Sequence, residues 1–232
     1  MGIDGCRAGW VLARSDETLS HVVFEIQSTF QDAVAELSDD DRAIIDIPIG
    51  LMDCGPRSCD SAARLLLLRP RRPRRSSSVF PAPCRGVLHA KAQTAKCSGC
   101  GKGLTQQLFV ILPKIGEVDT LMTANLQVRV REAHPEVTFA VLSGQGYGLK
   151  SRKKRVEGRE ERESILKNYL LGEFNLSAER KRLGTKNIEL DELIDALACL
   201  ATAHRWSKGS AKVLPRDAEC RDSRGLRMEM VA

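Results

Sequence analysis

Aromatic residues are scarce in this chain: six Phe, two Trp and two Tyr stand among 232 residues. Few side chains are therefore on hand to stack against nucleic-acid bases. Long apolar runs are missing as well. The longest purely aliphatic stretch is Leu65 to Leu68, far short of the roughly 20 residues that a membrane-spanning helix needs. Met1 leads directly into a strand pattern, without the basic region and apolar segment of a secretory signal. Cys6 stands where a myristoylation motif wants Ser or Thr. A cytoplasmic protein is expected, with no membrane partner.

What is present fits one domain spanning the chain, with an insertion at about residues 51–125. At 42% hydrophobic the chain can bury a real core, and a net charge of +6 favours anionic partners without identifying nucleic acid. Eight cysteines without a secretion signal are most simply reduced thiols. Cys97-Ser98-Gly99-Cys100 has the spacing of half a zinc knuckle, but no second close pair follows. Cys54 and Cys59 are too loosely spaced to complete it, even with His89 as a fourth ligand. A structural zinc normally takes four ligands, so a plain glycine-rich loop is the better reading.

The opening reads as three strands in a meander: Ile3 before a turn at Gly5 to Gly9, then Trp10 to Ala13, then His21 to Ile26. Thr29 caps a short helix through Leu37, and Ala43 to Ile47 is a buried strand stopped by Pro48 and Gly50. The insertion holds a helix around Cys59 to Leu68, ended by Pro70, and a second from Thr105, broken or kinked at Pro113. Val128 to Ala133 alternates as a fifth strand. The charged stretch Lys150 to Glu163 reads as a solvated loop leading into a helix from Ser164 to Leu171. Asp191 to Trp206 carries an apolar stripe of Leu193, Ala196, Leu197, Leu200 and Ala201, the mark of a packed helix. Gly225 to Met230 reads as an edge strand. The order of elements fits an α/β fold with a five-stranded mixed sheet flanked by helices.

Three acidic residues stand in apolar settings: Asp4 in Gly2-Ile3-Asp4-Gly5, Asp46 in Ile44-Ile45-Asp46-Ile47-Pro48, and Asp195 between Ile194 and Ala196. A carboxylate is costly to bury unless its charge is compensated. If strands one and four are neighbours joined by a right-handed crossover, Asp4 and Asp46 project toward one edge of the sheet. Two close carboxylates repel, so one takes a proton or both share a cation. Magnesium suits them, because it prefers oxygen ligands and needs only one or two carboxylates per ion; manganese is the alternative. The last helix then adds Asp195, with Asp191 one turn before it on the same face. Two ions roughly 4 Å apart would activate a water and stabilise a leaving oxygen of a phosphodiester. The bland alternatives are a turn residue at Asp4, a strand-ending cap at Asp46 and a helix-dipole acid at Asp191.

Further candidates are weaker. Glu136 and His134 follow the fifth strand and are candidates for a base or metal ligand and for a proton carrier. Glu132 ranks lower, because strand alternation sends it and its neighbours to opposite faces. Arg71, Arg72, Arg74 and Arg75, with Arg85, offer charge for a phosphate backbone, although charge runs are usually just solvated. Gln106 and Lys114 are candidates for reaching a substrate phosphate. Gly144-Gln145-Gly146-Tyr147-Gly148 opens no convincing helix and is too loose for a phosphate cradle.

Together, Gly2 to Trp10, Ile45 to Gly50, Ser77 to Pro83, Gln107 to Ile115, Glu132 to Val137 and Asp195 to Ala198 resemble the DUF429 family, predicted nucleases with a ribonuclease H-like fold. The resemblance spans nearly the whole chain. It implies a five-stranded sheet ordered 3-2-1-4-5, and it puts the acids of a RuvC-like site on Asp4, Asp46 and Asp195. The same core also serves sugar kinases and actin-like ATPases, so fold alone does not select a reaction. The leading expectation is a magnesium-dependent nuclease acting on nucleic acid. An actin-like phosphotransferase or nucleotide hydrolase, and a non-catalytic binder of nucleic acid or anions, are the alternatives.

Overall fold

Side-chain alternation in the first hairpin sets the two faces of the sheet. In the computed structural model, which describes residues 1–68, 78–88, 96, 101, 103–216 and 220–232, β1 (Gly2–Cys6) pairs antiparallel with β2 (Gly9–Arg14). Ile3, Trp10 and Leu12 point into one apolar core, while Cys6, Val11 and Ala13 point into another. Because successive side chains on a strand face opposite ways, Asp4, paired with Val11, falls on the opposite face from Ile3.

β2 pairs in turn with β3 (Val23–Gln27), and the chain then crosses through α1 (Phe30–Val34) to β4 (Ala43–Ile45). Thr29 caps α1 by accepting the Asp32 N–H. β4 is buried on both faces and runs parallel to β1, with β5 (Val130–Glu132) parallel on its far side. The sheet order is β3-β2-β1-β4-β5, as the resemblance implies.

α2 (Ser58–Leu66) and α3 (Gln106–Leu121) lie between β4 and β5 in sequence, and α3 packs Leu108, Ile115 and Val118 against Ile3, Trp10 and Ile45. α3 runs through Pro113 without ending there, in contrast to the expected break. Proline removes one backbone donor and crowds the preceding turn, but the three buried anchors straddle it and hold both halves on the sheet.

The opposite face is covered by α4 (Pro135–Leu142), α5 (Val156–Tyr169), α6 (Leu176–Leu183) and α7 (Leu190–Ser207). α4 and α6 are eight-residue helices that the sequence reading passes over. α5 starts inside the stretch expected to be a solvated loop, because Arg162 and Leu166 are fully buried on one of its faces. The fifth strand is shorter than expected, since residues 126–128 form a 3-10 turn before it. The tail forms no edge strand of the main sheet: only β7 (Met230–Val231) is extended, and it pairs with β6 (Val213–Leu214) in a separate two-stranded ladder. Among the described residues, no helix is long and apolar enough to cross a membrane.

α7 lies directly on β1. A Cβ placed on Gly2 would sit 2.1 Å from the Ala196 carbonyl oxygen and 2.2 Å from the Leu200 nitrogen. Only a hydrogen in place of a side chain permits that approach, and it brings the residue before Ala196 to the level of Asp4.

Candidate metal centre

Three elements each deliver one carboxylate. Asp4 lies on β1, Asp46 follows the last residue of β4, and Asp195 lies in the second turn of α7. One carboxylate oxygen from each falls within 4.8 Å of the other two. The Asp46 N–H donates to the Ile3 carbonyl at 3.1 Å, so the β1–β4 ladder itself carries Asp46 to its place. The loop beyond it is fixed from below. Arg57, 2% exposed, donates to the Ile49 carbonyl at 3.1 Å and to the Gly50 carbonyl at 3.2 Å. The same guanidinium grips both oxygens of Glu132 at 2.7 Å and reaches Asp60 at 2.5 Å.

Burial dominates the electrostatics of the cluster. It pushes the Asp4 carboxyl well above the ordinary aspartate range, and the charges of Asp46 and Asp195 push it further. Asp46 rises to about 6, again through burial first, with Asp195 adding to the effect. Asp195 is raised by burial against the pull of Lys153. Lys153 in turn is held charged, chiefly by Asp195. Three carboxylates at this spacing do not all ionise comfortably without positive charge among them.

Lys153 supplies part of that charge. Its Nζ donates to Asp195 Oδ2 at 2.5 Å. Asp195 Oδ1 is buried and has no hydrogen-bond partner among the described residues. An unsatisfied buried carboxylate oxygen is expensive, and here it belongs to one of the three converging carboxylates. The donor set is all hard oxygen. It can hold a metal ion, and a cation there would satisfy the orphaned atom.

A cavity of about 970 Å³ opens onto this cluster. Asp4 and Asp46 line it, whereas Asp195, only 2% exposed, joins the cluster without lining the cavity. His134 and Glu136 line it too. His134 caps α4: its Nδ1 accepts the Glu136 N–H at 3.2 Å, so Nε2 carries the proton toward the Ser78 carbonyl, also at 3.2 Å. Glu136 is committed to the fully buried Arg162, which donates to its Oε1 through Nε at 3.0 Å and Nη2 at 2.5 Å. Lys114 lines the cavity while donating to the Gly9 carbonyl and lying 4.3 Å from the Trp10 ring centroid.

Other candidates lie elsewhere. Asp191 is in the first turn of α7 and outside the three-carboxylate group. Gln106 is exposed at the start of α3, and its neighbour Gln107 lines the cavity instead. Arg85 does not line the cavity; it is bound to Asp119 at 3.1 Å and to Asp222. Arg71, Arg72, Arg74 and Arg75 lie outside the described residues, as do Cys97, Cys100 and His89. Glu132, ranked below Glu136 and His134 in the sequence, lines the cavity as well and is the buried partner of Arg57.

The sequence reading passes over Lys153, Arg162 and Arg57. All three are basic residues in polar surroundings, and nothing local separates them from solvated ones. Lys153 and Arg162 have a faint signal in hindsight: they bracket Gly158, where a Cβ would lie 1.9 Å from the Arg152 carbonyl oxygen. A glycine that close to another backbone marks a packed segment.

A family model described as "Protein of unknown function (DUF429)" matches residues 2–220. Searches of curated proteins and of solved structures find no match.

Proposed function

The chain belongs to the DUF429 family, and we propose that it is a metal-dependent nuclease, hydrolysing phosphodiester bonds with Mg²⁺ or Mn²⁺ held by Asp4, Asp46 and Asp195. The observation that carries this reading is the buried, unpartnered Oδ1 of Asp195 among three converging carboxylates. When bound, the ion would acidify a water and offset charge on the phosphoryl oxygens.

The rest of the cavity supports a phosphate ester as the substrate. Arg7, Arg152 and Lys154 line it together with Lys114. These cations would bind and orient the anionic backbone opposite the carboxylates. His134 places a proton-bearing nitrogen in the same wall, and as a proton carrier it would give up its bond to the Ser78 carbonyl. Asp4 is fixed for ligation by the Gly5 N–H, which donates to its Oδ1 at 2.7 Å and leaves Oδ2 free to turn toward an ion.

The basic wall also favours a second reading, a binder of nucleic acid or anions with no catalysis. One experiment separates the two. Labelled single- and double-stranded DNA and RNA are incubated with Mg²⁺ or Mn²⁺, or with a chelator, using wild type, Asp4→Asn and Asp46→Asn. Metal-dependent cleavage by wild type, reduced at least a hundredfold in both variants, is the expected result. Equal cleavage by all three proteins overturns the nuclease reading. Salt-sensitive binding without cleavage, retained in both variants, selects the second reading.

A further inference from the structure

We propose that this centre holds one divalent ion, and that Lys153 occupies the place of a second. The inference rests on the metal reading above and narrows it, since the sequence alone leads one to expect two ions.

The two oxygens of Asp195 are used differently. Oδ2 is taken by the Lys153 ammonium at 2.5 Å, and Oδ1 is buried and has no partner among the described residues. In a two-ion site a carboxylate between the ions would present one oxygen to each. Here one of those oxygens is already bound to a cation that belongs to the chain.

Lys153 is not a loose surface lysine. Its own side chain is 38% exposed, but the segment carrying it is tied down. Arg162 donates to the Ser151 carbonyl at 3.2 Å and to the Gly158 carbonyl at 2.7 Å, and the Ser151 N–H donates to Glu161 at 3.1 Å. The Arg152 carbonyl accepts from Arg155 N at 3.0 Å, which closes the turn around Lys153.

Ligand supply and charge point the same way. Mg²⁺ takes one or two carboxylates per ion, so a trio that has already given one oxygen of Asp195 to Lys153 has less to offer a second ion. Three further acids line the cavity, and each is engaged: Glu136 by Arg162 at 2.5 Å, Glu132 by Arg57 at 2.7 Å, and Glu192 by the Glu189 N–H at 2.8 Å in the capping box of α7. Oxygen ligands of one octahedral Mg²⁺ lie about 3.0 Å apart when adjacent and about 4.2 Å apart when opposite. The three carboxylate oxygens lie within 4.8 Å of one another, and side-chain shifts of about 1–2 Å bring them onto one ion. Three carboxylates, one ammonium and one divalent ion come to neutrality; a second ion would leave a surplus of positive charge in a largely buried place.

The test is the stoichiometry of Mn²⁺ binding to the full chain, followed by electron paramagnetic resonance of the free ion. Wild type and Lys153→Arg should each bind one ion at this centre. Lys153→Met, which keeps the length but not the charge, should bind two; Lys153→Gln serves if the methionine variant does not fold. Two ions in wild type overturn this inference and leave the metal reading standing. One ion in wild type and one in the neutral variants does the same, because the lysine is then not what keeps the second ion out. No ion in wild type removes the metal reading and this inference together.

Discussion

Gly2 and Ala196 are in backbone contact across the β1–α7 interface: a Cβ on Gly2 would lie 2.1 Å from the Ala196 carbonyl oxygen. This single close approach sets the height of α7 above the sheet, and with it the distance from Asp195 to Asp4. The obstruction is backbone rather than a flexible side chain, so it cannot turn aside. Gly2→Ala should therefore lift or tilt α7, at a cost of about 1–3 kcal/mol, as overpacked cores do. Urea denaturation should show the loss. Mn²⁺ affinity should fall with it, since the three carboxylates no longer meet. Unchanged stability and affinity would show that α7 is held elsewhere.

The carboxylate cluster makes the metal-free protein sensitive to pH in an unusual direction. Burial raises all three aspartates, Asp46 from its ordinary value of 3.8 to about 6. The folded state thus binds these protons more tightly than the unfolded chain does. Stability from this source is present below the unfolded value and is lost as pH rises through the folded one. In chelator-treated protein, the contribution of Asp46 should decline between about 4 and 6. Asp46→Asn should flatten that decline in a series of thermal melts, and saturating Mn²⁺ should offset it at the upper end. A melting profile of the variant that matches wild type through this window would count against the cluster as the cause.

The sheet order and the meeting of Asp4, Asp46 and Asp195 were legible before any coordinates. Strand alternation puts Asp4 on one face, a parallel crossover brings β4 beside β1, and apolar neighbours make Asp195 conspicuous. The resemblance to DUF429 supplied the strand order. The cationic half of the site was hidden. A buried Arg162 or a committed Lys153 has the same letters around it as a solvated one, and only tertiary packing distinguishes them. The role of Glu132 was hidden for a related reason. Strand alternation says nothing of a distant partner, and Arg57, just before α2, arrives to satisfy it. Pro113 is a case of packing overriding local preference, with Leu108, Leu112, Ile115 and Val118 buried on either side of it.

Arg162 offers a final test of how the site is held together. Its side chain is fully buried and pairs with Glu136, which is itself 6% exposed. Removing one partner of a buried pair strands the other charge, typically at a cost of about 3–5 kcal/mol. Arg162→Met should therefore be strongly destabilised in urea titrations at neutral pH. The double variant Arg162→Met with Glu136→Gln should recover much of that loss, because no uncompensated charge remains. The two backbone carbonyls that Arg162 serves, Ser151 and Gly158, lose their donor in both proteins. Part of the deficit should therefore persist, and the turn that carries Lys153 should loosen. Faster amide hydrogen exchange across residues 151–158 in the double variant, with slow exchange retained in α7, is the expected pattern. Full recovery of stability together with unchanged exchange would mean that Arg162 serves only to neutralise Glu136 and does not position Lys153.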